Sequence, residues 1–432
     1  MKRLLSSTAL LLAITFSSKL IGFVRELILL ESLGIGVELD VFVVLYGLVN
    51  LLSGALGICI VTSLTPIAGA YRSRRDTLQL LGEGARMGAY TGLAALAACV
   101  SYASIFGDLG ASDTWFVALI VPLVVPFALI AEYQVALFLS RGQRVPVIAG
   151  NLIISLPLVA ALLLFDLGIV AYAAGLAASF ALRAAIFTVI LLRGLPADDE
   201  NEVQPHSSLF AARLTRTLAG GSAMLAIAAV AVTAQMVARE IAEGEATVVA
   251  YGLKVPQFII TSIWFVLGTG FFSGLVRRGT AGAKRKIVIF SAVNLAMTIG
   301  TFAAVLALSA IPDNAAAAVS PDIVMVIAAS VPFLPLIVLT PLAEMTQRLL
   351  AATDHHRLVL SIAGAILLGG FAAQAIALLS ASVNLLAWSP AIAGGLGGVV
   401  CMSILLRLPL SRRDNPDNTS ISDNKALSNA PS

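Results

Sequence analysis

The stretch Ser18-Lys19-Leu20-Ile21-Gly22-Phe23-Val24-Arg25-Glu26 lies inside the first apolar segment of the chain and carries three charges there. Each Lys or Arg near a bilayer centre costs about 2.5–3.5 kcal/mol on insertion scales, so charges kept at that depth face a protein-lined, watered space rather than lipid. Two readings fit these nine residues. Lys19 and Glu26, about two turns apart on one helix face, can pair with each other while Arg25 reaches an interface. Alternatively, the charges serve a polar cargo.

Outward from this stretch, the composition is that of a membrane protein. Of 432 residues, 59% are hydrophobic and 12% charged, and the mean hydropathy is +0.97; soluble domains stay near about 45–50% apolar. Apolar runs long enough to cross about 30 Å of hydrocarbon fall at 6–30, 41–67, 82–106, 114–139, 146–165, 168–192, 215–238, 247–275, 287–310, 322–345, 358–381 and 385–408. The expectation is an all-α polytopic protein with about twelve spans. Met1-Lys2-Arg3 followed by leucines imitates a signal peptide, but no small-residue cleavage site follows, so the segment reads as an uncleaved first span. Cys59, Cys99 and Cys401 sit in apolar runs without pairing or metal-ligand spacing and read as small buried residues.

Alternate connections differ in charge. One set collects Arg72, Arg74, Arg75, Arg141, Arg144, Arg193, Arg213, Arg277, Lys284 and Arg412; the other carries Glu31, Glu38, Asp40, Asp108, Glu240, Glu243, Glu245 and Asp313, with Arg239 its clear cation. By the positive-inside rule both termini of this multi-pass membrane protein are expected to be cytoplasmic. The acid-rich 194–214 interrupts the apolar rhythm halfway and reads as a cytoplasmic linker between a six-helix lobe at 1–193 and another at 215–410. The polar 411–432 reads as a disordered tail. A repeat supports the division: Val43-Val44-Leu45-Tyr46-Gly47-Leu48 recurs as Val248-Val249-Ala250-Tyr251-Gly252-Leu253, equivalent places if the lobes are parallel duplicates.

No signature of covalent chemistry is present: no phosphate-binding Gly-rich loop ending in Lys-Ser/Thr, no Gly-x-Ser-x-Gly, no cluster at metal spacing. His355-His356 reads as a solvated loop pair. The chain is therefore expected to be no enzyme, to hold no cofactor or metal, and to bind no nucleic acid. What remains is charge inside spans: Lys19, Arg25 and Glu26 in the first, Glu132 in the fourth, Arg183 in the sixth, Lys254 in the eighth and Glu344 in the tenth, with Arg86 near the start of the third. Arg183, Arg86 and Glu344 lie near span ends, where snorkelling explains them. Lys19, Arg25 and Lys254 do not, and three cations from two halves suit a multivalent anion such as a diphosphate. Lys19 and Arg25 are about 9 Å and 120° apart on an ideal helix, so sharing one cavity calls for a wide space or a bend, for which Gly22 is placed.

Ser18 to Glu26, with Leu33-Gly34-Ile35-Gly36-Val37-Glu38-Leu39-Asp40-Val41-Phe42 and Asn50-Leu51-Leu52, resembles the N-terminal signature of the MurJ/MviN lipid II flippases of the MOP exporter superfamily. Weaker echoes are Arg144-Val145-Pro146 with Asn151, and Leu267-Gly268-Thr269 after Lys254. The resemblance implies two parallel six-helix lobes around a central cationic cavity, as in MATE-like folds, that opens alternately to each side. It implies Lys19, Arg25 and Lys254 on the diphosphate of an undecaprenyl-linked saccharide, Asp40 at the periplasmic mouth, and Ser18, Gly22, Glu26, Asn50 and Glu132 as further cavity or gating positions. It departs at Lys19 and Lys254, where arginines are usual, at Ser53-Gly54 in place of an arginine pair, at Ile58 in place of an acid, and in lacking two extra C-terminal helices. No carboxylate falls in the seventh or eleventh span, so a sodium site is not supported. The implied function is flipping of lipid II, or of an exopolysaccharide or O-antigen-type precursor, coupled to membrane potential, with cell-wall or polysaccharide synthesis proteins as partners. A drug/cation antiporter and a non-transporting cell-wall scaffold are the readings from other classes.

Overall fold

The computed structural model describes residues 2–69, 71, 73–106, 112–165, 167–193, 195, 207–264, 282–309, 321–353 and 355–407. Backbone N–H and C=O groups within a bilayer have no water to bond, so the chain satisfies them inside helices. These are α1 (Lys2–Leu33), α2 (Val37–Ala68), α3 (Arg74–Phe106), α4 (Ser112–Ile120), α5 (Val124–Ser140), α6 (Arg144–Leu164) and α7 (Ile169–Leu192), followed by α8 (Ser207–Ile241), α9 (Glu245–Ile259), α10 (Ala283–Ser309), α11 (Pro321–Ala329), α12 (Leu336–Ala352), α13 (His356–Leu379) and α14 (Val383–Arg407). There is no strand among the described residues, and the chain is an all-α polytopic membrane protein.

Nine helices among the described residues are long and apolar enough to cross a membrane, or ten with one bent pair, against about twelve expected spans. The difference lies in α1 and α9. The described side chains of α1 begin at residue 13 and include Lys19, Arg25, Glu26 and Glu31, which dilute its apolar character. α9 runs into a π-helical turn, Ile260–Trp264, and the rest of its expected span, with Leu267-Gly268-Thr269, lies outside the described residues. Of the expected 194–214 linker, 207–214 are helical as the start of α8, while the acidic residues 198–202 and the tail 411–432 lie outside the described residues.

A further repeat escaped the sequence reading. A short 3-10 turn, Val121–Leu123, separates α4 from α5, and another, Val331–Phe333, separates α11 from α12; both carry the proline of a Val-Pro pair in the first turn. Proline cannot donate to the preceding helical turn, which marks the break. The fourth span continues as one helical path, whereas the tenth bends by 48°.

In the first half α1 packs on α6, α3 on α5, and α7 on α5 and α6; in the second α13 and α14 pack on α8 and on each other, with α12 and α10 beside them. Between the halves α2 lies on α8 and α9, and α1 meets α9 and α11. One apolar cluster runs through this junction, with Leu29, Val44 and Val49 on one side and Ala234, Val249, Tyr251 and Phe333 on the other. A second, around Val230, Ile287, Met345 and Ile366, belongs to the second half. α1 stops at Gly34, whose φ of +70° gives the left-handed cap that releases the chain into α2.

Close helix approach fixes some positions. A Cβ added at Gly88 of α3 would lie 2.9 Å from the backbone of Pro126 in α5, which cannot move aside. Gly88→Ala is expected to cost about 1–3 kcal/mol, read as a lower melting temperature of the purified protein; an unchanged melt would show that α3 and α5 do not meet this closely.

Candidate functional site

The seam between α1 and α9 joins the halves, and charge is concentrated along it. Arg25 and Glu26 are neighbours on α1, and Lys254 comes from α9. One carboxylate oxygen of Glu26 accepts from Arg25 Nη2 and the other accepts from Lys254 Nζ. Arg25 is 9% exposed and Glu26 8%. Two cations against one acid leave a net positive charge at the junction. The pairing differs from the one sequence spacing offered, Lys19 with Glu26, because Lys254 reaches Glu26 from the other half.

Tyrosines surround this triad. Tyr46 of α2 and Tyr251 of α9, the matching positions of the six-residue repeat, both lie within electrostatic range of Arg25 and Glu26, as does Tyr172 of α7. The Lys254 ammonium sits 3.9 Å from the centre of the Tyr251 ring, a cation–π contact. Arg25 Nε and the Tyr251 hydroxyl are buried without a hydrogen-bond partner among the described residues. Unsatisfied buried donors beside a net positive charge suit an incoming acceptor-rich group. Toward the other end of the seam, the Phe258 ring packs against Phe16 and Phe23, with centroids 5.6 and 5.5 Å apart.

Asp40, in the first turn of α2, is 1% exposed and binds the start of α9. Its Oδ2 accepts from the Gly244 amide at 2.7 Å, and its Oδ1 accepts from the Thr247 amide at 2.7 Å and the Thr247 hydroxyl at 2.6 Å. A carboxylate from one half thus caps a helix of the other, where free amides and the helix dipole favour an anion. Burial and the nearby Asp40 carboxylate raise the Glu245 carboxyl above its ordinary range.

Lys19 is not part of this triad. Among the described residues it has no hydrogen-bond acceptor, and it lies within electrostatic range of Glu132 on α5 and Arg183 on α7. Arg183 Nη2 is 3.8 Å from Glu132 Oε1, a loose pair, and the guanidinium stands over the Phe187 ring at 5.3 Å. Arg183 is 7% exposed, so the expected snorkelling is wrong for this residue. Glycines make the space: a Cβ at Gly57 would fall 2.8 Å from Glu132 Cγ, and one at Gly150 3.0 Å from Arg183 Nε. Facing small residues of this kind were the sequence signal for Arg183, but only once the helix pairing is known.

The remaining candidates are spread out. Ser18 donates to the Ile148 carbonyl at 3.4 Å. Gly22 faces Ser155 of α6, and α1 runs uninterrupted past it, so no helix break occurs there. Asn50 is exposed and hydrogen-bonds Tyr46. Arg86 is exposed, and Glu344 pairs with Arg348 one turn on, as residues near span ends do.

No protein-family model and no curated protein matches the chain. Solved structures do. Lipid II flippase MurJ in an inward closed conformation superposes with a TM-score of 0.64 at 13% identity, covering 97% of this chain and 91% of MurJ. A MOP superfamily transporter from Pyrococcus furiosus, described as having a binding pocket of reversed polarity, gives 0.61 at 14% identity over 93% and 96%. An outward-facing multidrug resistance MATE transporter gives 0.57 at 12% identity over 92% and 95%. The chain has the fold that these MOP superfamily transporters share.

Proposed function

We propose that this protein is a flippase that moves an undecaprenyl-diphosphate-linked saccharide, lipid II first among them, outward across the bacterial inner membrane by alternating access. The reading extends to the two lobes, at 1–193 and 215–410, rocking about a midplane site. The observation that carries it is the Arg25–Glu26–Lys254 triad at the joint between the halves. A diphosphate brings more charge and more acceptor oxygens than Glu26 and competes with it for both cations, a bidentate fork from Arg25 and a point charge from Lys254. Because those cations belong to opposite halves, the exchange changes what holds the halves together. Asp40 then acts as the periplasmic latch, closed on α9 until that exchange loosens the seam. An inside-negative potential favours export of the anion by about 2.3 kcal/mol per charge per 100 mV.

The net positive charge of the triad speaks against a cationic drug as cargo, the reading to which the MATE likeness points. An exopolysaccharide or O-antigen-type precursor carries the same diphosphate and stays beside lipid II. Depleting the protein and measuring undecaprenyl-linked intermediates by mass spectrometry tests the proposal. One such intermediate is expected to accumulate, and Arg25→Ala or Lys254→Ala is expected to relieve the block by less than about a tenth of wild type, the loss of a charge-assisted contact or more. Unchanged lipid-linked pools on depletion would remove the flippase reading, and full activity of both variants would leave a scaffold.

A further inference from the structure

We propose that Lys19 and Arg183 form a second anion subsite, within the first half alone, that takes an acidic group on the glycan of the transported lipid; this rests on the flippase reading above. Three observations point to it. Lys19 has no acceptor among the described residues, Arg183 is buried with its Nε unpartnered, and the one acid between them, Glu132, is 3.8 Å from the guanidinium rather than in hydrogen-bonding contact. At the α1–α9 seam, by contrast, Arg25 and Lys254 are each in direct contact with Glu26. Here two cations face one acid whose side chain keeps 29% of its exposure, Lys19 is only half-buried, and the missing side chains of Gly57 and Gly150 let Glu132 and Arg183 pack against α2 and α6.

The ligand class follows from the chemistry. Unsatisfied donors with a net positive charge call for an anionic acceptor, and a planar carboxylate or a phosphate fits a guanidinium fork. Lys19 precedes Arg25 by six residues, about 9 Å along the helix, a reach that a short glycan extending from the diphosphate covers. The subsite therefore selects substrates with an acid one or two sugars from the diphosphate, and Glu132 holds its place until such a group arrives.

The test uses the full chain in lipid nanodiscs and two soluble probes: a ten-carbon prenyl diphosphate bearing a disaccharide whose second sugar is either glucose or glucuronate. Calorimetric titration is expected to show about tenfold tighter binding of the glucuronate probe, the scale of one charge-assisted contact. Arg183→Gln should erase that preference without changing the affinity for the glucose probe, and Glu132→Gln, which removes the competing carboxylate, should widen it. Equal affinity of wild type for the two probes overturns the subsite while leaving the diphosphate site standing, and so does a preference that Glu132→Gln narrows. Binding of neither probe overturns the flippase reading and this inference with it. If Arg183→Gln fails to fold, the Glu132→Gln comparison decides alone.

Discussion

Glu26→Leu lowers the stability of the purified protein by about 3–5 kcal/mol, the cost of leaving buried charges without their partner. The loss is large because one carboxylate serves two cations: its removal leaves Arg25, already holding an unpartnered Nε, and Lys254 facing each other across the seam with like charge. The triple variant Arg25→Met, Glu26→Leu, Lys254→Met is expected to recover most of that stability, since apolar residues of similar volume often match a buried ion network. It should nonetheless be inactive in complementation, which separates holding the halves together from handling the cargo. Denaturant or thermal unfolding of the single and triple variants measures the difference. A single variant within about 1 kcal/mol of wild type, the range of a surface ion pair, would mean that the triad is not coupled in the way described.

Asp40→Ala costs about 3 kcal/mol and loosens the outer end of the seam, because it removes the acceptor of three hydrogen bonds, two of them from the amides of Gly244, the cap of α9, and of Thr247 in its first turn. Asp40→Asn should be nearly as damaging: both carboxylate oxygens accept, and an amide replaces one acceptor with a donor. Hydrogen exchange at Gly244 and Thr247 reads this directly, with both amides expected to exchange faster in either variant. If their exchange is unchanged while the protein melts lower, Asp40 contributes packing rather than a latch.

Much of the architecture was legible from residue order. Long apolar runs mark a helix at each expected span among the described residues, because lipid permits little else, although α1 and α9 fall short of an apolar crossing by themselves. The short repeat was legible too, and its two tyrosines, Tyr46 and Tyr251, meet around the same ion cluster. The grouping of charges was less so. Lys19 and Arg25 are six residues apart on one helix, yet they turn to different neighbours, and only the pairing of α1 with α9 and of α5 with α7 decides which. Arg183 was misread because its distance from a span end resembled that of a snorkelling residue, while its burial depends on Gly150 across the helix contact. The proline breaks were visible as Val-Pro pairs at 121–122 and 331–332, but prolines are common enough in membrane helices that the match carried no signal before the turns were seen.

The shared carboxylate also bears on how the molecule is made. Synthesis runs from the first helix onward, so Glu26 is already in the bilayer when α9 leaves the translocon with an ammonium that costs about 2.5–3.5 kcal/mol to insert alone. The early helix thus supplies the counter-charge for the late one. A ribosome delivering the second half by itself would hand the membrane a lysine with nothing to receive it.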